Sequence, residues 1–288
     1  MNYYKDFDFR KAEILIREAL EEDLGKGDIT SELLISPDSV SKAELLVKEN
    51  GIIAGLEIFR LVFRIIDRNI SVKFFKKDGE KVKRGEVIAL IKGKTRKMLL
   101  GERLALNILQ RMSGIAGQVK QLTERLGNPG IKVTDTRKTT PNFRIFEKLA
   151  VKTGGGENHR TGLYDMILIK DNHIEANGGI ANTIKILKNK KSNIKNKTEI
   201  EVKNIKELKI VLKEGAGAVD RIMLDNFRLP DVKKAVIMNR NRFELEISGG
   251  VNLKNIGRYK HIKGVSYISS GSVTHSVKSL DISFNFIT

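Results

Sequence analysis

The stretch Ile200–Asp225, IEVKNIKELKIVLKEGAGAVDRIMLD, carries two brief apolar runs with a helical pattern between them. Ile200–Val202 and Ile222–Leu224 have strand character, and Ile205–Lys213 repeats its apolar residues at helical spacing. A strand–helix–strand unit this short joins parallel strands through a right-handed crossover. The unit recurs outward in both directions. Lys132–Thr134, Met166–Ile169, Leu245–Ile247 and Val265–Ile268 are further short runs. Phe143–Lys152, Ala181–Lys188, Asp231–Met238 and a short segment near Leu253 are helix candidates. So many units in series favour an α/β barrel of parallel strands, with a doubly wound sheet as the alternative.

The N-terminal part reads differently. Asp8–Glu22 and Ile58–Ile66 are helical in pattern, while Ala43–Val47, Ile52–Ala54, Val72–Phe75 and Val87–Ile91 read as strands, an α+β unit with an antiparallel sheet. Arg96–Arg125 is helical for its whole length, and its glycines predict two helices broken near Gly114 or Gly117. Arg103, Asn107 and Gln110 form a polar stripe on it, which could be a solvated face or a functional one. The end of the chain, LDISFNFI from Leu280, alternates like one more strand, able to return to the first sheet.

Composition bounds the function. With 288 residues, 40% hydrophobic and 31% charged, the chain can bury a sizeable core. Cysteine is absent, which excludes disulfides and thiolate metal sites and fits a reducing compartment. No apolar run approaches the ~20 residues of a membrane helix. The start of the chain lacks the apolar centre of a signal peptide, so a cytoplasmic location is expected by elimination. The net charge of +18 raises nucleic-acid binding, but no zinc finger, RNP-like motif or basic recognition helix accompanies it. Stretches such as Lys188–Lys197, KNKKSNIKNK, read as compositional bias, and no nucleic-acid or membrane partner is expected. Part of the charge can instead face an acidic substrate.

In folds of this class chemistry gathers where strands end. After Val133 come Thr134, Asp135, Thr136, Arg137 and Lys138; after Ile169 come Lys170, Asp171, Asn172 and His173. The next runs carry Glu201 and Lys203, then Asp225 and Asn226, and the last two end in Ser248-Gly249-Gly250 and Ser269-Ser270-Gly271. Singly, each is an ordinary loop residue or turn. Together they sort into cations, carboxylates and Ser/Gly loops. Arg137, Lys138 and Lys170 can bind carboxylates; Glu201 and Asp225 can hold hydroxyls or a divalent cation; the Ser/Gly loops offer backbone N–H groups to a phosphate. Gly154–Arg160, GGGENHR, adds close backbone approach and two donors, His159 and Arg160, with a hydrogen-bonded structural role for His159 as the competing reading. It is no Walker A loop, and the histidines lack the spacing of a zinc site. These residues suit an enzyme joining a carboxylate-bearing substrate to a phosphate-bearing one, with Mg2+.

On the same residues the chain closely resembles the quinolinate phosphoribosyltransferases. The resemblance is carried by EDLGKGDITSELL (Glu22–Leu34), GERLALNILQRMSGIA (Gly101–Ala116) and the specific block from Thr134 to Ile174, then by EIEVKN, DRIMLDNF, LEISGGV and SSGSVTHSVKSLDIS. It implies conversion of quinolinate and 5-phosphoribosyl 1-diphosphate (PRPP) to nicotinate mononucleotide, diphosphate and CO2 in NAD biosynthesis. The implied fold is an N-terminal α/β sandwich, residues 1–112 with 278–288 returning to it, followed by an incomplete α/β barrel, residues 113–277. By resemblance Arg137, His159, Arg160 and Lys170 surround the quinolinate carboxylates, with Thr136 beside them, and Arg103 enters from the neighbouring subunit of a homodimer or homohexamer. Lys138, Glu201 and Asp225 correspond to the groups for PRPP and its Mg2+, with Lys138, Lys170, Glu201 and Asp225 the catalytic set. Ser248-Gly249-Gly250 and Ser269-Ser270-Gly271 correspond to the ribose 5-phosphate loops.

Two positions depart from the family pattern: Asn142 stands where many relatives have Gly, and Tyr164 where Ser is common. Asn tolerates positive φ, so the turn at 142 can survive. A paralogue found with molybdenum-transport operons fits these motifs less well. Two other classes stand beside this reading: a Schiff-base barrel aldolase using Lys138 or Lys170, and a non-enzymatic nucleic-acid binder.

Overall fold

Short polar residues start the first helices. The Asp8 carboxylate accepts from the Lys11 amide at the head of α1 (Phe9–Leu24), and Asp28 does the same for Ser31 in α2 (Ile29–Leu34). The computed structural model describes residues 2–190 and 195–287, so positions 191–194 of the Lys/Asn-rich stretch lie outside the described residues. Contacts divide the chain into two compact units: Met1–Lys120, Thr139–Gly155 and Val273–Thr288 in one, Gln121–Lys138 and Gly156–Ser272 in the other.

The first unit is built on a four-stranded antiparallel sheet. β1 (Val40–Val47) and β5 (Val87–Lys94) form its centre, β3 (Ser71–Phe74) pairs with β5, and β12 (Ile282–Ile287) pairs with β1. A small ribbon of β2 (Gly51–Ile52) and β4 (Lys81–Val82) stands beside it. Alternation decides which face is buried: Ala43, Leu45 and Val47 are fully buried, whereas Lys42, Glu44 and Leu46 are partly exposed. The amphipathic α3 (Leu56–Ile66) buries Phe59, Val62 and Phe63, and each large apolar side chain so buried contributes about 1.5–3 kcal/mol. Asp78, from the loop after β3, caps α3 by accepting from the Gly55 and Leu56 amides, and the Tyr4 hydroxyl donates to the same carboxylate.

The long helical pattern is one helix, α4 (Thr95–Leu126), and not the two predicted from its glycines. Gly114 permits close packing instead of a break. A Cβ there would collide with the Lys278 carbonyl oxygen, and helical backbone bonds continue past it. Glu147 of α5 (Arg144–Thr153) is fully buried and accepts from Arg111 Nη2 at 2.9 Å, Arg111 Nε at 3.2 Å, the Thr140 hydroxyl at 3.1 Å and the Thr140 amide at 3.2 Å. This fixes the Thr139–Asn142 turn, where Asn142 has a φ of 59°.

The second unit contains a six-stranded parallel sheet. Its strands are β6 (Lys132–Thr134), β7 (Ile167–Ile169), β8 (Thr198–Val202), β9 (Arg221–Asp225), β10 (Glu244–Ser248) and β11 (Tyr267–Ser269). The spatial order β6-β11-β10-β9-β8-β7 places the last strand beside the first, the order of a barrel left open between β6 and β7. Residue 157 pairs alongside β6 at that open edge, through the Thr134–Glu157 bridge. Helices α6 (Asp171–Ala176), α7 (Ile180–Lys190), α8 (Ile205–Glu214) and α9 (Leu229–Asn239) connect successive strands. The segment near Leu253 has no α-helix, only a 3-10 turn at Ile256–Tyr259.

Ile200, Val202, Ile222, Leu224, Leu245 and Ile247 are buried on one face of this sheet. The opposite face is polar, and its lower part is buried as well: Glu199 and Glu246 are completely inaccessible and Arg221 is 8% exposed.

Candidate active site

Parallel pairing lines up the polar face in layers. Glu199 and Glu244 both lie opposite Arg221, and Glu246 lies opposite Met223 and Tyr267. Glu201 stands two residues beyond Glu199, level with Met223, and Asp225, Ser248 and Ser269 stand two residues beyond Met223, Glu246 and Tyr267, the period that keeps a side chain on one face. The predicted strand-end residues therefore share one face and one end of the second unit. Arg103 belongs to the first unit, where it is exposed on α4.

The cationic part of the site is Arg137, Lys138, Arg160 and Lys170. Arg137 follows β6, with the Lys138 amide donating to the Thr136 hydroxyl at 3.0 Å. Arg160 is 8% exposed, and its buried Nε makes no hydrogen bond among the described residues. Burial, and then the neighbouring Arg137 charge, lower its pKa. Two guanidinium groups held this close, one of them buried, favour an anion between them. Lys170 precedes α6; its amide donates to His173 Nδ1 at 3.0 Å and its Nζ lies 4.0 Å from Glu201.

The acidic part is Glu201 and Asp225. Burial raises the Glu201 pKa, Lys170 opposes the rise, and the Asp225 charge adds to it. Two carboxylates on neighbouring strands suit a hard divalent cation, which prefers oxygen donors. The Ser/Gly loops follow. Gly249 has a φ of 97° and Gly250 one of 61°, and a Cβ on Gly249 would strike the Asn226 side chain. The Ser270 amide donates to the Thr134 carbonyl at 3.0 Å, and its hydroxyl to Val251 O at 2.6 Å. Both loops are thus pinned to neighbouring strand ends.

His159 is placed beneath this layer. Its amide donates to the buried Asp135 carboxylate at 2.8 Å, its Nδ1 accepts from the Arg160 amide at 2.8 Å, and its Nε2 lies 2.9 Å from Glu199. Both ring nitrogens are engaged inside the protein. Glu246 stands 3.6 Å from Nε2 and accepts from Arg221 Nη1 at 3.0 Å, and the Arg221 guanidinium stacks 3.7 Å from the Tyr267 ring centroid. Burial, then the Glu199 charge, raise the Glu246 pKa; Glu199 is raised by burial too, although Arg221 opposes it.

His159, Glu199 and Glu246 bring potential ligand atoms within 4.8 Å of one another, but Arg221 already supplies their cation. Sequence reading named Asp135 among the strand-end residues without giving it a role, and missed Glu199, Arg221 and Glu246. A signal for the last three existed: Glu199 and Glu246 stand two residues before Glu201 and Ser248, and Arg221 four before Asp225.

Residues 28–113 match the model of the quinolinate phosphoribosyl transferase N-terminal domain, and residues 115–285 that of its C-terminal domain. This chain belongs to the quinolinate phosphoribosyltransferase family. Among its relatives is a probable nicotinate-nucleotide pyrophosphorylase [carboxylating] of Bacillus subtilis, 41% identical over 94% of this chain and 92% of that protein. The chloroplastic nicotinate-nucleotide pyrophosphorylase [carboxylating] of Arabidopsis thaliana is also 41% identical, over 95% of this chain and 82% of its own. Among solved structures, NadC from Streptococcus pyogenes superposes with a TM-score of 0.90 at 37% identity, covering 99% of this chain and 100% of that one. The nicotinate-nucleotide pyrophosphorylase of Francisella tularensis gives 0.90 at 35% identity, with both chains covered completely. The two-unit architecture is that of the quinolinate phosphoribosyltransferases. Among the described residues no helix is long and apolar enough to cross a membrane.

Proposed function

We propose that Arg137, Arg160 and Lys170 grip the two carboxylates of quinolinate while Lys138, Glu201, Asp225 and the Ser/Gly loops hold PRPP, in the phosphoribosyl transfer of NAD biosynthesis that this family performs. The observation that carries this assignment is the buried Arg160 guanidinium beside a second arginine. Burial and the second arginine both disfavour its charge, Asp165, Glu199 and Glu201 offset this only in part, and an anion there is therefore favoured. Arg forks match carboxylates in plane, and Lys170 supplies a third positive charge.

The reaction follows from this division. The anomeric carbon of PRPP loses diphosphate and gathers oxocarbenium-like charge, and the pyridine nitrogen attacks it. The resulting pyridinium ring then stabilises the electrons left at C2 when that carboxylate departs as CO2, and a proton from water takes the vacated position. Fixing the ring in line with the anomeric carbon supplies much of the acceleration. Mg2+ fits Glu201 and Asp225, which are oxygen donors at adjacent strand ends, and when bound it would neutralise diphosphate charge. Ser248–Gly250 and Ser269–Gly271 would offer amides and hydroxyls to the 5-phosphate. Arg103, exposed on α4, would complete the site of a second copy of this chain, in a dimer or hexamer.

The test is to mix the protein with quinolinate, PRPP and Mg2+ and to measure CO2 and nicotinate mononucleotide. Arg137→Ala and Lys170→Ala should each lower turnover by about 100-fold or more while circular dichroism stays unchanged. Near-normal turnover in both variants would overturn the assignment.

A further inference from the structure

The residues beneath the site carry one more inference, which rests on Arg160 binding a carboxylate of the acid substrate. Every nitrogen of the His159 ring and backbone has a partner in this layer: Asp135 takes the backbone amide, Glu199 faces Nε2, and the Arg160 amide faces Nδ1. A backbone N–H can only donate, so Nδ1 is an acceptor and carries no proton. The ring proton then sits on Nε2 and points at Glu199. Glu246 is in turn fixed from the far side by Arg221, which spans Glu246 and Glu244, lies opposite Glu199 across the strands and is stacked on Tyr267. The chain of contacts runs from Tyr267 through Arg221 and the two glutamates to His159, and ends on the backbone of Arg160.

We propose that Glu199 and Glu246 are positioning residues for the reaction: they hold His159 as the neutral ring protonated on Nε2, leaving Nδ1 to fix the Arg160 amide and so the place of the Arg160 guanidinium. His159 then serves the carboxylate pocket from below and does not itself touch the substrate. Glu199 lies one layer below Glu201, and Glu246, level with Glu201 across Met223, lies one layer below Ser248. A metal ion on His159, Glu199 and Glu246 is the competing occupant of the same atoms. Geometry argues against it, because His159 Nε2 already lies against one Glu199 oxygen and Arg221 Nη1 already donates to one Glu246 oxygen.

The test uses the full chain. Nitrogen-15 spectra of histidine-labelled protein, with the His159 signals assigned through His159→Gln, should show a neutral ring with the proton on Nε2. A proton on Nδ1, or on both nitrogens, overturns the proposal. Glu199→Ala should raise the KM for quinolinate on the order of 10- to 100-fold while the KM for PRPP changes less than about threefold, since a small displacement of a binding group acts on its own ligand. Glu199→Gln keeps an oxygen to accept from Nε2 and should restore the quinolinate KM to within about threefold of the parent. A merely structural role would lower the melting temperature without this split, and equal rises in both KM values overturn the proposal. So does a stoichiometric metal that co-purifies with the protein and is lost in His159→Gln. If Glu199→Ala fails to fold, the spectra of the parent protein still decide. Parent protein with no turnover on quinolinate and PRPP overturns the functional reading and this proposal with it, whereas an active parent with the wrong tautomer overturns the proposal alone.

Discussion

The two sheets of this molecule use the same alternating sequence pattern for opposite purposes. In β1 every second residue is apolar and buried, and the residues between them, Lys42 and Glu44 among them, lie on the partly exposed face. In β8 and β10 the apolar residues are buried too, but Glu199 and Glu246 between them have no exposure at all. The first sheet has one wet face; the second has none at its lower level. Charge register makes the difference tolerable. Arg221 sits between Glu199 on one neighbouring strand and Glu244 on the other, whereas Lys42 of β1 faces Lys92, a pairing that only solvent can accommodate. Complementary charge across strands, not alternation along one strand, is therefore the mark of an interior polar face.

That contrast can be broken by experiment. The largest effect should come from Arg221→Leu, which leaves the buried Glu246 without its partner and the buried Glu199 without the cation opposite it; unfolding in urea should report a loss of about 4 kcal/mol. A neutral result would mean that the lower layer is not organised by charge, and the contrast would fall. Next in size, Leu45→Ala in the first sheet should remove about 3 kcal/mol by leaving a cavity in an apolar layer. Both KM values should stay unchanged, because this layer positions no ligand.

The smallest effect is one of pH. Glu246 faces Glu199, His159, Arg221 and Ser269, and burial first, then the Glu199 charge, raise its pKa from 4.5 to about 7. A carboxyl whose pKa is higher in the folded state stabilises the fold below its unfolded value, and that contribution is lost as the pH climbs through the folded value. Stability should therefore fall from about pH 4.5 to about pH 7 by on the order of 2 kcal/mol, and Glu246→Gln should flatten that slope. A slope identical in parent and variant would show that Glu246 is ionised throughout.

The parallel fold was legible because its signal is local. IEVKNIKELKIVLKEG announces a strand and a helix by period alone, and the strand-end residues follow by position. The family was legible through the Thr134–Ile174 block. Gly114 misled because a glycine inside a helix reads as a break unless one knows that another carbonyl lies against it, and that neighbour is far away in sequence. Glu199, Arg221 and Glu246 escaped for a related reason. Their charges make sense only in register, and register between strands is set by the sheet, not by any one strand. Which way the nitrogens of His159 face depends on Asp135 and Glu199, which lie on other segments.

The pairing of β12 with β1 bears on how the protein is made. Leu46 and Ser283, which meet across these strands, are 237 residues apart, so during synthesis β1 waits with an open edge for on the order of tens of seconds before its partner emerges. Until then the first unit is a sheet with its flank exposed, open to pairing with another nascent chain. The parallel unit, by contrast, has all six of its strands in residues 132–269 and can assemble before the last strand arrives. The unit that begins first in the sequence is thus completed last.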